Sequence, residues 1–486
     1  MTLATFDRAR VAARRRPLDK LEHSLVRLAV AHRGTLGLAS WTGQDAGRYE
    51  ALRYALSFAK LTEVEGRDGV VLDIDGPMQA FAVQLRADLE PRLLDAKRLD
   101  EAFAIADAVA RRTRDARSAL FATLPVDRDA FEAEVTTRQL VIASGGGGGA
   151  GYVYPGAYEQ IDKLGLTPRL LVGTSIGALM GMFRARRERF DLAALVSAAR
   201  NLAWGRVFRP LHREHRYGLP ATLHLHLHDA LGSLFEVDGR TMRMHEAEIP
   251  VYTIATGITV DALKHDLATY ERMFDDAFDT RGVVGSTKTA IRTFEIVREF
   301  LGRRDALREI VIGREPGTEG FDILDAAGFS AAIPAVIHYD VLRQDPGMHR
   351  ILDDLYAAHG ITRLGEGGMV SNVPARVAWE TAASGHLGPR RNPFVLALDC
   401  FAPTYTRPGW FPFQQLVRQA NVTADRAFSD LYVPFPTTSA TFGAFSSFSA
   451  PSWPWAQTHA QGIGANNAPA IPAFSSCLRC MGITPV

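Results

Sequence analysis

The sequence is short of three things. Cysteine is nearly absent: Cys400, Cys477 and Cys480 are the full complement of a 486-residue chain. An odd, sparse set builds no disulfide framework and fits a reducing compartment. Cys477 and Cys480 form an isolated C-x-x-C, and a zinc site needs a second ligand pair at suitable spacing, which is not obvious here. An excess of one charge is also missing. Lys and Arg number 55 against 54 for Asp and Glu, a formal net charge of +1. The basic surplus of a dedicated nucleic-acid binder is therefore lacking, and no nucleic-acid partner is expected. Long hydrophobic runs are the third lack. No stretch of about 18 uncharged apolar residues occurs, so no transmembrane helix is predicted. The first residues, MTLATFDRARVAARRRPLDK, lack the apolar centre of a secretory signal, and Asp7 and Asp19 weaken a transit-peptide reading. The expectation is a cytoplasmic protein whose contact with membranes is peripheral.

What is present begins with apolar content, at 47% of residues. That supplies a sizeable core, and the length suggests two or three structural units. Residues 1–137 read as a helical region, with Leu85, Leu89, Leu93 and Leu94 at helical spacing. The pattern then changes to strand, loop, helix, strand, turn, helix, the alternation of a parallel α/β sheet with helices on both faces. Strands are predicted at QLVIAS after Arg138, at Leu170–Gly173, at Val251–Ala255 and at Phe394–Leu398. A helical insert is predicted over roughly Asp275–Glu309, either packed on the core or serving as a lid. Residues 431–478 carry no Asp, Glu, Lys or Arg and are rich in Phe, Trp, Pro and Ser. Such a segment wraps over the domain or offers an apolar surface to lipid. The resulting division is 1–137, 138–430 and 431–486.

Two motifs carry chemistry. Gly173-Thr174-Ser175-Ile176-Gly177 is a G-x-S-x-G between an apolar strand and a helix. This is the context of a nucleophile elbow, in which a tight turn projects a serine hydroxyl above the sheet edge. Small flanking residues let strand and helix approach, and the helix N-terminus directs partial positive charge at the reacting carbonyl. The second motif is the glycine loop Gly145–Gly149, with Gly151 just after it. A dinucleotide fold uses such a loop to cradle a pyrophosphate, but it also wants an acidic residue at the end of the next strand. Here that strand ends in Val172-Gly173 and runs into the serine turn. The better reading is an oxyanion hole, with N–H donors from Gly146, Gly147, Gly148, Gly149 and Ile176, chiefly Gly147 to Gly149.

Three blocks resemble the patatin-like phospholipase family: SGGGGGAGYVYPGAYEQIDKLGL, VGTSIGAL and LGEGGMVSNVPA. FSAAIPAVIHYDV is similar to the family's small-residue segment between the serine and the acidic motif. The likeness covers roughly residues 138–425. It implies an α/β fold of patatin-like architecture and hydrolysis of lipid acyl esters by a Ser–Asp dyad that uses neither histidine nor a cofactor. Ser175 then takes the nucleophile's place. Glu366, followed by Gly367 and Gly368, stands where the family has aspartate, and Ala150 stands where it has a basic residue. Phospholipid or another acyl-ester lipid is the implied partner. A general lipase or esterase of the same fold and a catalytically impaired scaffold that binds membrane or a partner are the rival readings.

Other groups are weighed beside the dyad. Asp399, at the end of the strand Phe394–Leu398, is a reserve candidate for the base. His338 and His386 are possible triad members in principle, although nothing in the sequence sets either beside Ser175. His224, His226, His228 and Asp229 form HLHLHD in a stretch that reads as helix after Pro220. On a helix only His224 and His228 share a face, too few ligands for a metal, and no metal is expected.

Overall fold

The computed structural model describes residues 7–36, 43–200, 204–210, 216–219, 221–259, 307–402, 422–435 and 471–484. The chain forms two compact units, one of residues 1–141, 379–395 and 461–486, the other of 142–378 and 396–460.

The first unit is helical, as its composition predicts. Helices span Arg8–Leu36, Gly43–Ala59, Asp75–Glu90, Leu99–Ala104, Ala106–Thr123 and Arg128–Thr136. Asp127 caps the last of these, its carboxylate accepting the Ala130 N–H at 2.8 Å. A short antiparallel hairpin, β1 (Glu63–Glu65) and β2 (Val71–Asp73), interrupts the helices. Leu85, Leu89 and Leu93 are buried and Leu94 is partly so, which is the apolar stripe a helical period requires. The same core takes in Ile471, Phe474, Cys477, Leu478 and Met481 from the end of the chain. Cys477 is thus a packing residue, while Cys480 is exposed.

The second unit is built on a seven-stranded, mostly parallel sheet. Its strands are β3 (Gln139–Ser144), β4 (Leu170–Thr174), β9 (Val251–Ile258), β10 (Leu307–Ile312), β12 (Arg363–Gly365), β13 (Pro393–Asp399) and β14 (Leu431–Pro434). The order is β10-β9-β4-β3-β13-β14, with β12 also on β9. Every residue of β3, β4, β9 and β13 is buried, so their unbroken apolar runs are those of strands covered on both faces. A smaller sheet joins β5 (Phe208–Pro210), β6 (Ala221–Leu225) and β11 (Ala335–His338), and a hairpin joins β7 (Glu236–Val237) and β8 (Arg240–Thr241).

Two expectations need correction. The HLHLHD stretch does not lie on one helix. His224 is in β6, which pairs in parallel with β11, and the helix begins only at Leu227. Pro220 precedes a strand here, and the alternation of Leu223, His224 and Leu225 is the two-residue period of a strand. Leu307–Glu309, expected as the end of the helical insert, instead open β10 in register with β9. The rest of that insert, and residues 436–470 of the uncharged segment, lie outside the described residues. Among the described residues, no helix is long and apolar enough to cross a membrane.

Candidate active site

The register of one strand brings the two candidate catalytic residues together. Along one edge of β9, β4 runs parallel, with Thr174 opposite Ile254. Further along that edge β12 runs antiparallel, with Gly365 opposite Thr256. The two strands approach each other head-on. The next residue of each, Ser175 and Glu366, falls opposite Ala255. Neither strand could achieve this alone, because the meeting point is set by pairing across about 190 residues of sequence.

Ser175 sits in the turn between β4 and the helix Ile176–Ala185 at φ 55 and ψ −125. A side-chain-bearing residue at positive φ is strained, and such strain persists only where neighbours fix it. The flanking glycines allow the close approach. A Cβ on Gly177 would overlap the Ser144 carbonyl oxygen, and one on Gly173 would overlap the Ala178 backbone. Ile176 opens the helix, so its N–H has no partner within that helix.

The glycine loop lies against this turn. Gly145 donates to the Leu398 carbonyl at 2.9 Å, and the Tyr154 hydroxyl donates to the Gly145 carbonyl at 2.8 Å. Gly146 donates to the Asn372 carbonyl at 3.1 Å. The Gly146 N–H is therefore committed, and its contribution is its missing side chain. A Cβ there would stand 2.8 Å from Asn372 Oδ1, 3.1 Å from Ser175 Cβ and 3.5 Å from Glu366 Oε1. Gly147, Gly148 and Gly149 lead into the turn of helix Gly148–Val153, Gly148 at φ 56. As in any helical start, the first N–H groups are left over for a ligand. Ala150, the departure from the family's basic residue, is buried within this turn.

Glu366 is enclosed. Its N–H donates to the Ala332 carbonyl at 2.9 Å, and its carbonyl accepts the Thr256 hydroxyl at 2.6 Å. Burial pushes its carboxyl up to about 8, against the opposing pull of the Gly368 N–H and the Ser175 hydroxyl. The Gly368 N–H lies 3.4 Å from Oε1, while Oε2 makes no well-aligned hydrogen bond. Long or poorly aligned contacts between a base and its nucleophile are usual before substrate arrives. Gly367 and Gly368 leave room for this arrangement, since a Cβ on Gly368 would stand 3.2 Å from Glu366 Oε1.

The other named groups have different partners. Asp399 accepts the Phe401 N–H through Oδ1 and the Tyr432 hydroxyl through Oδ2, so both of its oxygens are occupied. His338 Nδ1 meets the Leu219 carbonyl at 2.7 Å, and its ring packs on His224 at 5.1 Å. His386 belongs to the first unit. His228 does meet acids, bringing ligand-type atoms together with Asp322 and Asp325. The Arg343 guanidinium grips Asp325 there with both terminal nitrogens, at 2.8 and 2.6 Å. Burial alone would raise Asp325, but hydrogen bonds from His228 and Arg343 pull its carboxyl down to about 2. The arrangement is a balanced ion network in which a guanidinium supplies the positive charge.

Two residues of the site are not named as site residues from the sequence. Asn372 packs between Gly146 and Gly368, and Ser330 accepts the Ser175 N–H at 2.7 Å. Both lie inside the blocks that carry the family likeness, yet nothing about a serine or asparagine there announces a contact of such long range.

An apolar cavity opens beside Ser175, lined by Ile176, Leu179, Phe208, Leu227, Ala331 and Ile333 among others. A serine on a strand-to-helix turn, backed by a glycine loop and an apolar cavity, is the arrangement of an α/β lipid hydrolase. Residues 142–379 match the family model of patatin-like phospholipases, so this part of the chain is a patatin-like phospholipase domain. At the level of the family, the activity is lipid acyl hydrolysis. A search of curated proteins finds no match to the chain.

Proposed function

We propose that the protein is a phospholipase A-type lipid acyl hydrolase that cleaves carboxylic esters through an acyl-serine intermediate. Ser175 is the nucleophile and Glu366 its base. The observation that carries this reading is the meeting of Ser175 and Glu366 opposite one residue of β9, with Gly146 packed against both. The Ser175 oxygen attacks the ester carbonyl carbon as its proton passes to Glu366. The oxyanion is held by N–H groups of the glycine loop, chiefly Gly147 to Gly149, and of Ile176. The C–O bond then breaks, and the departing alcohol takes the proton from Glu366. Water attacks the acyl-serine with Glu366 again as base, and the fatty acid leaves. The mainly apolar lining of the cavity beside Ser175 suits the acyl part of a substrate better than a polar head group. The chemistry calls for no cofactor. Contact with the lipid surface is peripheral in this reading.

The test is covalent labelling. A fluorophosphonate probe should modify wild-type protein at Ser175, and Ser175→Ala should lose both the label and all hydrolysis of phospholipid vesicles. Equal hydrolysis by the alanine variant would end the assignment.

A further inference from the structure

The candidate nucleophile and base are held by one short piece of chain. Ser330 ends the helix Ile323–Ser330 and is fully buried. Its hydroxyl accepts the Ser175 N–H at 2.7 Å and donates to the Ile254 carbonyl at 2.5 Å. Two residues on, the Ala332 carbonyl accepts the Glu366 N–H at 2.9 Å. Between them, Ala331 lines the apolar cavity. The carbonyl that receives Ser330 also lies against Gly367, the residue after the candidate base, because a Cβ there would overlap the Ile254 oxygen. Ser330 thus touches the strand that supports both arms of the site.

We infer that Ser330 is a positioning residue for the dyad: its hydroxyl pins the strained Ser175 turn to β9, while the adjoining Ala332 pins Glu366, so the segment 330–332 sets the separation of nucleophile and base. The inference rests on the proposed roles of Ser175 and Glu366. A hydroxyl suits this place because it can accept from one group and donate to another at once. The Ser175 N–H and the Ile254 carbonyl are both buried, and an alanine would leave each without that partner. The turn at φ 55 would then lose one of the neighbours that hold it there.

The test uses the full chain as wild type, Ser330→Ala and Ser330→Cys, each checked for folding by thermal melting. Three readouts are taken: kcat and KM with a p-nitrophenyl ester, the rate of Ser175 phosphonylation by a fluorophosphonate probe, and the pH dependence of kcat/KM. Misplacing a reacting group by about 1 Å costs up to ~10²-fold, so Ser330→Ala should lower kcat and the phosphonylation rate about 10–100-fold. KM should stay within about twofold, because no substrate contact is removed. The alkaline rise of kcat/KM should move to higher pH, since a displaced Ser175 hydroxyl favours the charged form of Glu366 less. A purely structural role would lower the melting temperature without shifting the pH profile of the folded enzyme. Ser330→Cys keeps the shape with a weaker hydrogen-bonding group and should fall between the two. Should Ser330→Ala fail to fold, the cysteine variant decides by the same readouts. A folded variant with wild-type kcat, phosphonylation rate and pH profile overturns the inference while leaving the hydrolase reading intact. A wild type that the probe does not label overturns both.

Discussion

Each unit of the molecule holds a glutamate with a buried carboxylate oxygen, and the two fare in opposite ways. In the first unit Glu22 is held by Lys60, by Arg138 at 3.1 Å and by Arg53 at 3.5 Å. Burial by itself would raise its carboxyl, but these three cations hold it well below the ordinary range. In the second unit Glu366 has no cation bonded to it among the described residues, only a glycine N–H and the Ser175 hydroxyl, and burial pushes its carboxyl up to about 8. Burial pushes both carboxyls upward, so the neighbours decide. A paired carboxylate holds its neighbours together, whereas one without a cation is left able to take up a proton near neutral pH at a cost in stability.

The largest effects expected from breaking this contrast come from the substitution Glu→Gln at each place. Glu366→Gln keeps the shape and removes the basic oxygen, so turnover should fall by roughly 10²–10⁴-fold, the usual worth of a positioned base. Steady-state assays on vesicles read this. Glu366→Asp should also lower turnover, because its carboxylate would stand about 1.5 Å, one carbon–carbon bond, short of a turn adapted to Glu. A rise would mean that the backbone suits Asp and that the natural enzyme is damped.

Glu22→Gln should behave the other way round. It leaves three buried cations facing a neutral side chain, and breaking a buried ion pair costs about 3–5 kcal/mol. Denaturant titration should show that loss, while kcat per folded molecule stays unchanged. A loss of turnover without a loss of stability would erase the distinction drawn between the two glutamates.

The smallest effects lie in pH. If Glu366 is the base it must be deprotonated, so kcat/KM should climb about tenfold per pH unit toward a midpoint near 8 and then level off. Stability should run in the opposite direction. The folded carboxyl titrates near 8, above the 4.5 of an ordinary glutamate, so the folded state holds the proton more tightly. Wild-type protein should therefore lose stability across that interval as pH rises, and keep all of this contribution below it. Glu366→Gln lacks this loss, so its melting temperature should gain on the wild type between pH 5 and pH 9. The gain is on the order of a few kcal/mol at most, because each pH unit separating the folded from the unfolded midpoint is worth about 1.4 kcal/mol. Parallel pH series of melting curves would sharpen the comparison, and coincident curves would mean that Glu366 does not titrate as described.

Much of this was legible in the chain because it is local. Gly173, Ser175 and Gly177 lie within five residues between an apolar strand and a helix, so their spacing alone implies the turn. The continuous apolar runs of β3 and β13 imply strands covered on both faces, and the N-terminal helices follow from the spacing of Leu85, Leu89 and Leu93. Other features depend on contacts between distant residues. Glu366 is recognisable as an acid before two glycines, but its place beside Ser175 comes from the antiparallel pairing of β12 with β9. Its raised carboxyl comes from burial, which one sequence does not display. Pro220 and the leucines around His224 suit a helix start, yet pairing with β11 makes a strand of that segment. The role given to Ser330 arises only when Ser175, Ile254 and Ser330 meet in space. Short-range sterics and the hydrophobic period act through neighbours in sequence, so the sequence by itself determined the elbow, the glycine loop and the sheet-forming runs. Desolvation and strand register act through neighbours in space, so only the tertiary structure decided which carboxylate faces the serine and how strongly it holds its proton.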